Sequence, residues 1–137
     1  MAKIVRLKKG SRNIRLVVAA VIERDREFLV CKRPAGKRHG GLWEFPGGKL
    51  LPGESIDGAV RRELREELDV EVTGTGKVLF CGRDPGSSFL IEFLEVGIDK
   101  EPTALEHDEI QWAARSTLST LTLAPVDRQF VNFLTSE

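Results

Sequence analysis

The stretch over residues 48–70 constrains the fold more than any other part of this 137-residue chain. A run of turn-forming residues, PGGKLLPG, leads into the segment AVRRELREEL, which is rich in strong helix formers. Ser55 or Asp57 can cap the start of this segment, because a short polar side chain accepts the amide hydrogens that a helix start leaves unpaired. The pattern therefore predicts a helix over residues 55–68.

This predicted helix carries an acidic stripe, made of Glu63, Glu66 and Glu67, that borders its apolar face. At about 100° per residue the three carboxylates share one arc, where like charges repel one another. Arg62 can offset part of that repulsion, and a divalent cation can offset the rest. Clustered carboxylates without Cys or His suit a hard ion such as Mg²⁺ or Mn²⁺. A solvated helix face is the alternative, but the preceding glycines favour a cation and phosphate site, because they let backbone groups approach a ligand closely.

Composition narrows the class of protein. The 21 basic residues balance the 21 acidic ones, which argues against a nucleic-acid partner. The longest apolar runs are far shorter than the about 20 residues that span a bilayer, so no membrane partner is expected. The basic start of the chain has no apolar signal region. We therefore expect a single cytoplasmic domain over residues 1–137, either a monomer or a homodimer.

Several apolar segments flank the predicted helix and have the β-branched composition of strands. Strands are predicted at residues 15–23, 27–32, 70–72, 77–81, 89–96 and 110–114, with a short extended piece at 42–45 and a closing helix at 127–134. Residues 1–13 are interpreted as a basic arm or a first edge strand. This order of strands, central helix, strands and final helix favours an α+β or α/β sandwich with a mixed β-sheet.

The acidic segment resembles the Nudix box, the pattern G-x5-E-x7-R-E-U-x-E-E-x-G-U with U a bulky aliphatic residue. Gly48, Glu54 and the run RELREELDV at residues 62–70 match eight of its nine defined positions. Outside the box, GLWEFPGGK at 41–49 and LAPVD at 123–127 are similar to the MutT-type branch. That branch holds 8-oxo-dGTP hydrolases and CTP pyrophosphohydrolases, and the resemblance extends over about residues 14–134.

The resemblance implies an α/β/α sandwich, with a central catalytic helix and a C-terminal helix. It also implies an enzyme that needs Mg²⁺, with Mn²⁺ as a substitute. Such an enzyme hydrolyses a small nucleotide, a nucleoside triphosphate, to the monophosphate and pyrophosphate by attack of water on the β-phosphorus. By position, the resemblance assigns the metal ligands to Gly47, Glu63, Glu66 and Glu67.

Other positions of the resemblance imply supporting and catalytic roles. Glu54 and Arg62 are expected to orient the glutamates of the acidic stripe. Glu106 stands at the distance before Trp112 that is expected of a further carboxylate, which could bind metal or act as the general base. Asp108 and Glu109 are its rivals, and Glu63 is the other candidate base.

The sequence departs from the family pattern at two positions. Asp69 replaces the last glycine of the box, where the chain leaves the helix and a left-handed conformation is common. Asp tolerates that conformation better than most residues, so we expect a small loss of stability and intact chemistry. Leu51 stands where this branch often has Glu, which could lower activity or metal affinity.

Substrate contacts are expected from five residues, namely Arg33, Arg38, Phe45, Lys49 and Asp127. The three cations can meet a triphosphate, although a solvated basic loop is an alternative for Arg38. Phe45 can pack on a base or belong to the core. Asp127 either reads the base or caps the last helix. A carboxylate acceptor suits the amino group of cytosine or the N1–H and N2 groups of guanine, and the overall pattern slightly favours a CTP-hydrolase-like enzyme.

Three other functions stay open. An ADP-ribose or nucleotide-sugar pyrophosphatase of the same family often has a proline where Pro85 stands, although Pro85 also fits an ordinary turn. A non-catalytic nucleotide-binding module would lack metal carboxylates, which are present here. A hydrolase of RNA 5′ ends has only the basic residues near the start of the chain in its favour.

Overall fold

The computed structural model describes residues 14–136, so the predicted N-terminal arm at residues 1–13 lies outside the described residues. Within this range the chain forms two β-sheets and three helices. The strands are β1 (Arg15–Val21), β2 (Glu23–Arg24), β3 (Glu27–Lys32), β4 (Trp43–Glu44), β5 (Gly47–Lys49), β6 (Val72–Arg83), β7 (Phe89–Ile98) and β8 (Glu109–Ala114). The helices are α1 (Ile56–Leu68), α2 (Arg115–Leu118) and α3 (Pro125–Leu134).

The larger sheet is mixed, as predicted, with the strand order β5-β1-β7-β6. Strand β1 runs parallel to β7, with Val18 opposite Glu92, and antiparallel to β5, with Val18 opposite Gly48. The second sheet is antiparallel and joins β2, β3 and β4, with β8 paired to β3. Because β5 is an edge of the larger sheet, its Gly47–Gly48 pair lies where the sheet meets the functional residues described below.

Helices cover both faces of the mixed sheet, which confirms the predicted α/β/α sandwich. On one face, Val60, Leu64 and Leu68 of α1 are fully buried in a core that includes Val18 and Leu94 of the sheet. On the other face, residues of α3 complete a second core that is rich in aromatic rings. The apolar arc predicted for α1 is therefore its buried face, and it fixes the rotation of the helix and with it the position of the acidic stripe.

The structure corrects several predicted boundaries. The two strands predicted at 70–72 and 77–81 are one strand, β6, whose pairing with β7 shifts register and so accommodates the intervening glycines. The turn-forming run contains β5, because pairing with β1 overrides the local preference of Gly47 and Gly48 for turns. Helix α3 begins at Pro125, the first helical position, where proline is favoured because the missing N–H would be unpaired anyway. Helix α2 was not predicted.

None of the helices in residues 14–136 is long and apolar enough to cross a membrane.

Helix α1 has a regular start and a left-handed end. Ser55 caps the start by accepting the amide hydrogen of Gly58 at 2.9 Å. Asp69 ends the helix with φ 58° and ψ 43°, and its N–H donates to the carbonyl of Arg65. The left-handed conformation expected at Asp69 is thus confirmed.

Replacing Asp69 by Gly is expected to raise the free energy of unfolding by about 0.5–1 kcal/mol. The gain arises because glycine avoids the left-handed cost of about 1–2 kcal/mol but gives up more chain entropy on folding. Loss of the exposed Lys100–Asp69 contact at 3.5 Å offsets little of that gain. Urea unfolding measures the difference, and Asp69→Ala, which keeps a Cβ, is the control. Equal stability of the Gly and Ala variants would contradict a left-handed strain at this position.

Candidate active site

Arg62 joins the turn-forming run to helix α1 through Glu54. Its Nε and Nη2 donate to the two carboxylate oxygens of Glu54 at 2.8 and 2.9 Å, and Nη2 also donates to the carbonyl of Lys49 at 3.0 Å. The guanidinium of Arg62 and the amide hydrogen of Leu51 together lower the pKa of Glu54 to about 2. Glu54 is therefore ionised at neutral pH and holds Arg62 in place. That the two residues orient the glutamates of the acidic stripe stays a prediction.

The same guanidinium reaches the acidic stripe. Nη1 of Arg62 donates to Glu63 Oε2 at 3.1 Å and to Glu66 Oε1 at 3.4 Å. The side chain of Glu63 is 15% exposed and that of Glu66 is 53% exposed, so only the first is largely withdrawn from water. Arg62 thus offsets part of the repulsion within the stripe, as expected from the sequence.

Glu67 is the buried member of the stripe. The amide hydrogen of Gly47 donates to its Oε1 at 3.3 Å, and its carboxyl group lies within hydrogen-bonding reach of Glu63. Burial raises the pKa of Glu67, and the negative charge of Glu63 raises it further. Two carboxylates this close in a partly dry site hold either a proton or a cation between them. Their oxygens are the donors that Mg²⁺ and Mn²⁺ prefer, so this pair fits a hard divalent cation.

Glu66 does not join this pair in the conformation observed. Across residues 14–136, no three His, Cys, Asp or Glu side chains converge in the geometry of a metal site. Glu66 instead contacts Arg62, at the longest of that guanidinium's distances to a carboxylate. A cation held by all three glutamates therefore requires Glu66 to leave Arg62, which a half-exposed side chain can do at small cost.

The backbone of Gly48 lies directly against Glu63. A Cβ atom at this position would lie 2.3 Å from Glu63 Oε2 and 2.8 Å from Oε1. The close approach explains why glycine is suited to this box position, because any side chain would displace the carboxylate. At Gly47, with φ 151°, a Cβ would lie 1.9 Å from the carbonyl oxygen of Val18, so that position also requires glycine.

Gly48→Ala is expected to lower kcat by about tenfold or more while the protein stays folded. The three atoms nearest the added methyl group all belong to the end of the flexible Glu63 side chain, so we expect Glu63 to rotate away and the backbone to keep its place. Steady-state kinetics and thermal unfolding measure the two effects. Gly36→Ala is the matched control, because no atom lies within 4 Å of the Cβ built there. Unchanged kcat in Gly48→Ala would show that the position of Glu63 does not matter.

A cleft of about 150 Å³ is lined in part by residues of β1, β5 and the first turn of α3. Its lining includes all five residues predicted to contact substrate, namely Arg33, Arg38, Phe45, Lys49 and Asp127. Gly47 and Gly48 also line it, and the same two glycines lie against Glu67 and Glu63. Ligand pockets are typically about 300–1,000 Å³, so this cleft has room for part of a nucleotide such as the base.

Asp127 lines this cleft from the first turn of α3. The side chain is buried, and its Oδ2 accepts the amide hydrogen of Phe45 at 2.9 Å. Burial raises the pKa of Asp127 well above its usual range, and the nearby charge of Glu44 raises it further. The N-cap of α3 is Ala124, so Asp127 is not the cap residue that the alternative interpretation required.

The predicted phosphate-binding cations are already engaged within the protein. Nη1 of Arg33 donates to Glu44 Oε1 at 3.0 Å, and Nη2 of Arg38 donates to Asp84 Oδ2 at 3.0 Å. A triphosphate that binds these arginines therefore competes with the carboxylates of Glu44 and Asp84, or shares the arginines with them. Lys49 differs from the two arginines, because its ammonium group lies over the ring of Phe89, 5.0 Å from the ring centre.

Phe45 belongs to the aromatic core as well as to the cleft. The side chain is buried and meets the rings of Phe93 and Phe130 edge to face, at centroid distances of 5.9 and 5.2 Å. Its stacking on a base stays a prediction, since most of its surface is already covered by these rings.

Glu106 and Asp108 lie on the loop between β7 and β8, and Glu109 is the first residue of β8; all three side chains are exposed. The neighbour His107 was not singled out from the sequence, yet its side chain is only 5% exposed and its Nε2 lies 3.0 Å from Glu44 Oε2. Glu44 was missed too, although a charged residue between Trp43 and Phe45 in an extended apolar stretch was a usable signal.

Comparison with known proteins agrees with this geometry. The family model of the NUDIX domain matches residues 13–134. The CTP pyrophosphohydrolase of Escherichia coli K12 is 40% identical over 114 residues, which cover 81% of this chain and 84% of that protein. The 8-oxo-dGTP diphosphatase of Proteus vulgaris is 34% identical over 62 residues, which cover 45% of this chain and 55% of that protein. The solution structure of the E. coli ORF135 protein superposes with a TM-score of 0.77 at 35% identity, covering 94% of each chain.

Proposed function

Since the chain belongs to the Nudix family of hydrolases, we propose that it hydrolyses a nucleoside triphosphate to the monophosphate and pyrophosphate. One observation carries the proposal. The cleft that contains the predicted substrate residues meets the Glu63–Glu67 pair across the two glycines of β5. A nucleotide with its base in the cleft can therefore extend its phosphates towards the acidic stripe.

Divalent metal ions are generally used by Nudix hydrolases, and we assign the cation here to Glu63, Glu66 and Glu67, with the Gly47 carbonyl nearby and Glu106 as a further ligand. When bound, Mg²⁺ or Mn²⁺ supplies positive charge that neutralises phosphate oxygens. The fit rests on carboxylate oxygens, on the raised pKa of Glu67 and on the close contact between Glu67 and Glu63.

The other residues of the site orient groups and move a proton. Arg62, held by Glu54, keeps Glu63 beside the phosphates and limits the repulsion within the acidic stripe. Glu63 or Glu106 accepts the proton of the attacking water, as a general base must lie within reach of that water. Lys49 and the half-buried Arg33 supply positive charge from the side of the cleft.

Base selection is assigned to Asp127, and a cytosine nucleotide is favoured over an oxidised guanine nucleotide. The relative named CTP pyrophosphohydrolase is 40% identical to this chain, whereas two relatives whose names refer to 8-oxo-dGTP diphosphatase are 33% and 34% identical, the first of them over 85% of this chain. The Asp127 side chain lines the cleft and, when it is ionised, accepts a hydrogen bond from an amino group on the base. An ADP-ribose substrate has weaker support, because Pro85 lies in a turn closed by the Ser87 N–H on the Asp84 carbonyl at 3.1 Å.

A substrate panel with Mg²⁺ tests the proposal. It contains the ribo- and deoxyribonucleoside triphosphates, 8-oxo-dGTP, 5-methyl-dCTP and ADP-ribose, and it measures pyrophosphate against orthophosphate release. We expect pyrophosphate release, with the highest kcat/KM for a cytosine nucleotide. Release of orthophosphate, or turnover of ADP-ribose alone, would contradict the proposal, and binding without turnover of any compound would indicate a non-catalytic module.

A further inference from the structure

The loop between β7 and β8 is fastened to helix α1 on one side of Glu106. The N–H of Leu105 donates to the carbonyl of Glu67 at 2.9 Å, and the N–H of Thr103 donates to the carbonyl of Leu68 at 2.9 Å. These bonds place the backbone before Glu106 at the end of the helix that carries the acidic stripe. They also satisfy carbonyls that the helix end would otherwise leave unpaired.

On the other side of Glu106 the loop is fastened by a side chain. The imidazole of His107 turns inward, whereas its neighbours from residue 104 to residue 109 are exposed. Its Nε2 lies 3.0 Å from Oε2 of Glu44, whose other oxygen accepts from Arg33. Glu106 is therefore the residue between two anchors, a backbone bond at Leu105 and an imidazole–carboxylate contact at His107.

Burial of His107 is unfavourable for stability alone. Nδ1 is buried, and no hydrogen-bonding partner lies within reach of it among the described residues. An unpaired buried polar atom costs free energy that an apolar side chain in the same place would not. The feature that His107 provides and an apolar residue cannot is a directed bond to Glu44.

We propose that His107 is a positioning residue, which through Glu44 holds the loop so that Glu106 lies beside the cation at the acidic stripe. The inference rests on the proposed function and assigns to His107 a role in it. Glu44 also lines the cleft, so the same carboxylate links the cleft to the loop of Glu106.

His107→Leu removes the bond to Glu44, and His107→Gln keeps a donor that can reach it. We expect His107→Leu to lower kcat and Mn²⁺ affinity by about tenfold or more, with KM changed much less, and His107→Gln to restore most of both. Electron paramagnetic resonance of Mn²⁺ measures affinity without turnover. Leu105→Ala, which keeps the backbone bond and alters an exposed side chain, is the matched control.

A second background shows whether His107 acts through Glu106. In a Glu106→Gln protein, adding His107→Leu should lower kcat no further. An equal loss in both backgrounds, or a His107→Leu protein with normal kcat and Mn²⁺ affinity, would overturn the proposal. If His107→Leu fails to fold, His107→Gln and Glu44→Gln are compared in the same two backgrounds. Glu67→Gln distinguishes a failure of the proposed metal site from a failure of the proposed role of His107. Normal activity of Glu67→Gln would refute the metal site itself. An inactive Glu67→Gln protein beside a normal His107→Leu protein would refute only the role of His107.

Discussion

Glu67→Gln is expected to lower kcat by about a hundredfold or more while the protein remains folded, and Glu66→Gln is expected to act similarly. Each change removes a negative oxygen from the proposed cation site, where charge is placed before the reaction and its loss is costly. In Glu67→Gln the carbonyl oxygen of the new side-chain amide can still accept the Gly47 N–H, so the backbone of β5 is retained. Steady-state pyrophosphate release measures the effect.

Glu71→Gln is the matched control for both variants. Glu71 lies just beyond α1, is exposed and pairs with Arg65 at 2.9 Å, outside the acidic stripe. We expect normal kcat in this variant. Near-normal turnover in both Glu66→Gln and Glu67→Gln, beside a normal control, would refute the assignment of the metal ligands.

The Glu67 variant also separates activity from stability. The folded protein raises the pKa of Glu67 above about 4.3, the value for a free side chain. The contribution of Glu67 to the free energy of unfolding is therefore fully present only below about pH 4.3. As the pH rises through neutrality towards the raised folded pKa, this contribution is lost. In the absence of metal, Glu67→Gln should therefore be at least as stable as the native protein at pH 7, with an advantage that shrinks towards pH 4.

Added Mg²⁺ should reverse that order. A ligand that binds only the folded state stabilises it, so the native protein should gain thermal stability while Glu67→Gln gains little. Thermal unfolding with and without Mg²⁺ measures both. A Glu67→Gln protein that is less stable than the native one without metal would show that Glu67 is a structural residue.

Asp127→Asn is expected to change the ratio of kcat/KM between cytosine and 8-oxoguanine nucleotides by about tenfold or more. Asn has the same shape and can still accept the amide hydrogen of Phe45, but its amide group cannot present a carboxylate to the base. A wrong partner for a base edge costs about 1–3 kcal/mol, which corresponds to a change of this size. Competition between the two nucleotides in one reaction measures the ratio directly.

The control for Asp127→Asn is Asp57→Asn. Asp57 is also in the first turn of a helix, but it is exposed and pairs with Arg61 at 2.8 Å. The control should leave base preference unchanged. An equal loss for every nucleotide in Asp127→Asn would show that Asp127 holds Phe45 and the start of α3 without reading the base.

The sequence predicted the central helix and its acidic stripe because both depend on local periodicity. The apolar arc of α1 and the Ser55 cap follow from residue order alone. Strand β5 could not be predicted in the same way, since Gly47 and Gly48 have no strand preference and acquire it only by pairing with β1. Tertiary pairing also merged two predicted strands into β6.

The site shows the same division between local and long-range information. The resemblance to the Nudix box implied supporting roles for Arg62 and Glu54, whereas the contact of Glu44 with His107 joins residues that are 63 positions apart. No local pattern in the sequence indicates that pair. The hydrogen bond between Arg38 and Asp84, which are 46 positions apart, could not be predicted from the sequence for the same reason.

The most direct test of the account is a crystal structure with Mn²⁺ and a non-hydrolysable triphosphate analogue, with the metal located by its anomalous scattering. We predict a peak within coordination distance of Glu63, Glu66 and Glu67, with Glu66 turned away from Arg62 and the base in the cleft beside Asp127. Glutamates that point into solvent with the metal elsewhere would contradict the account.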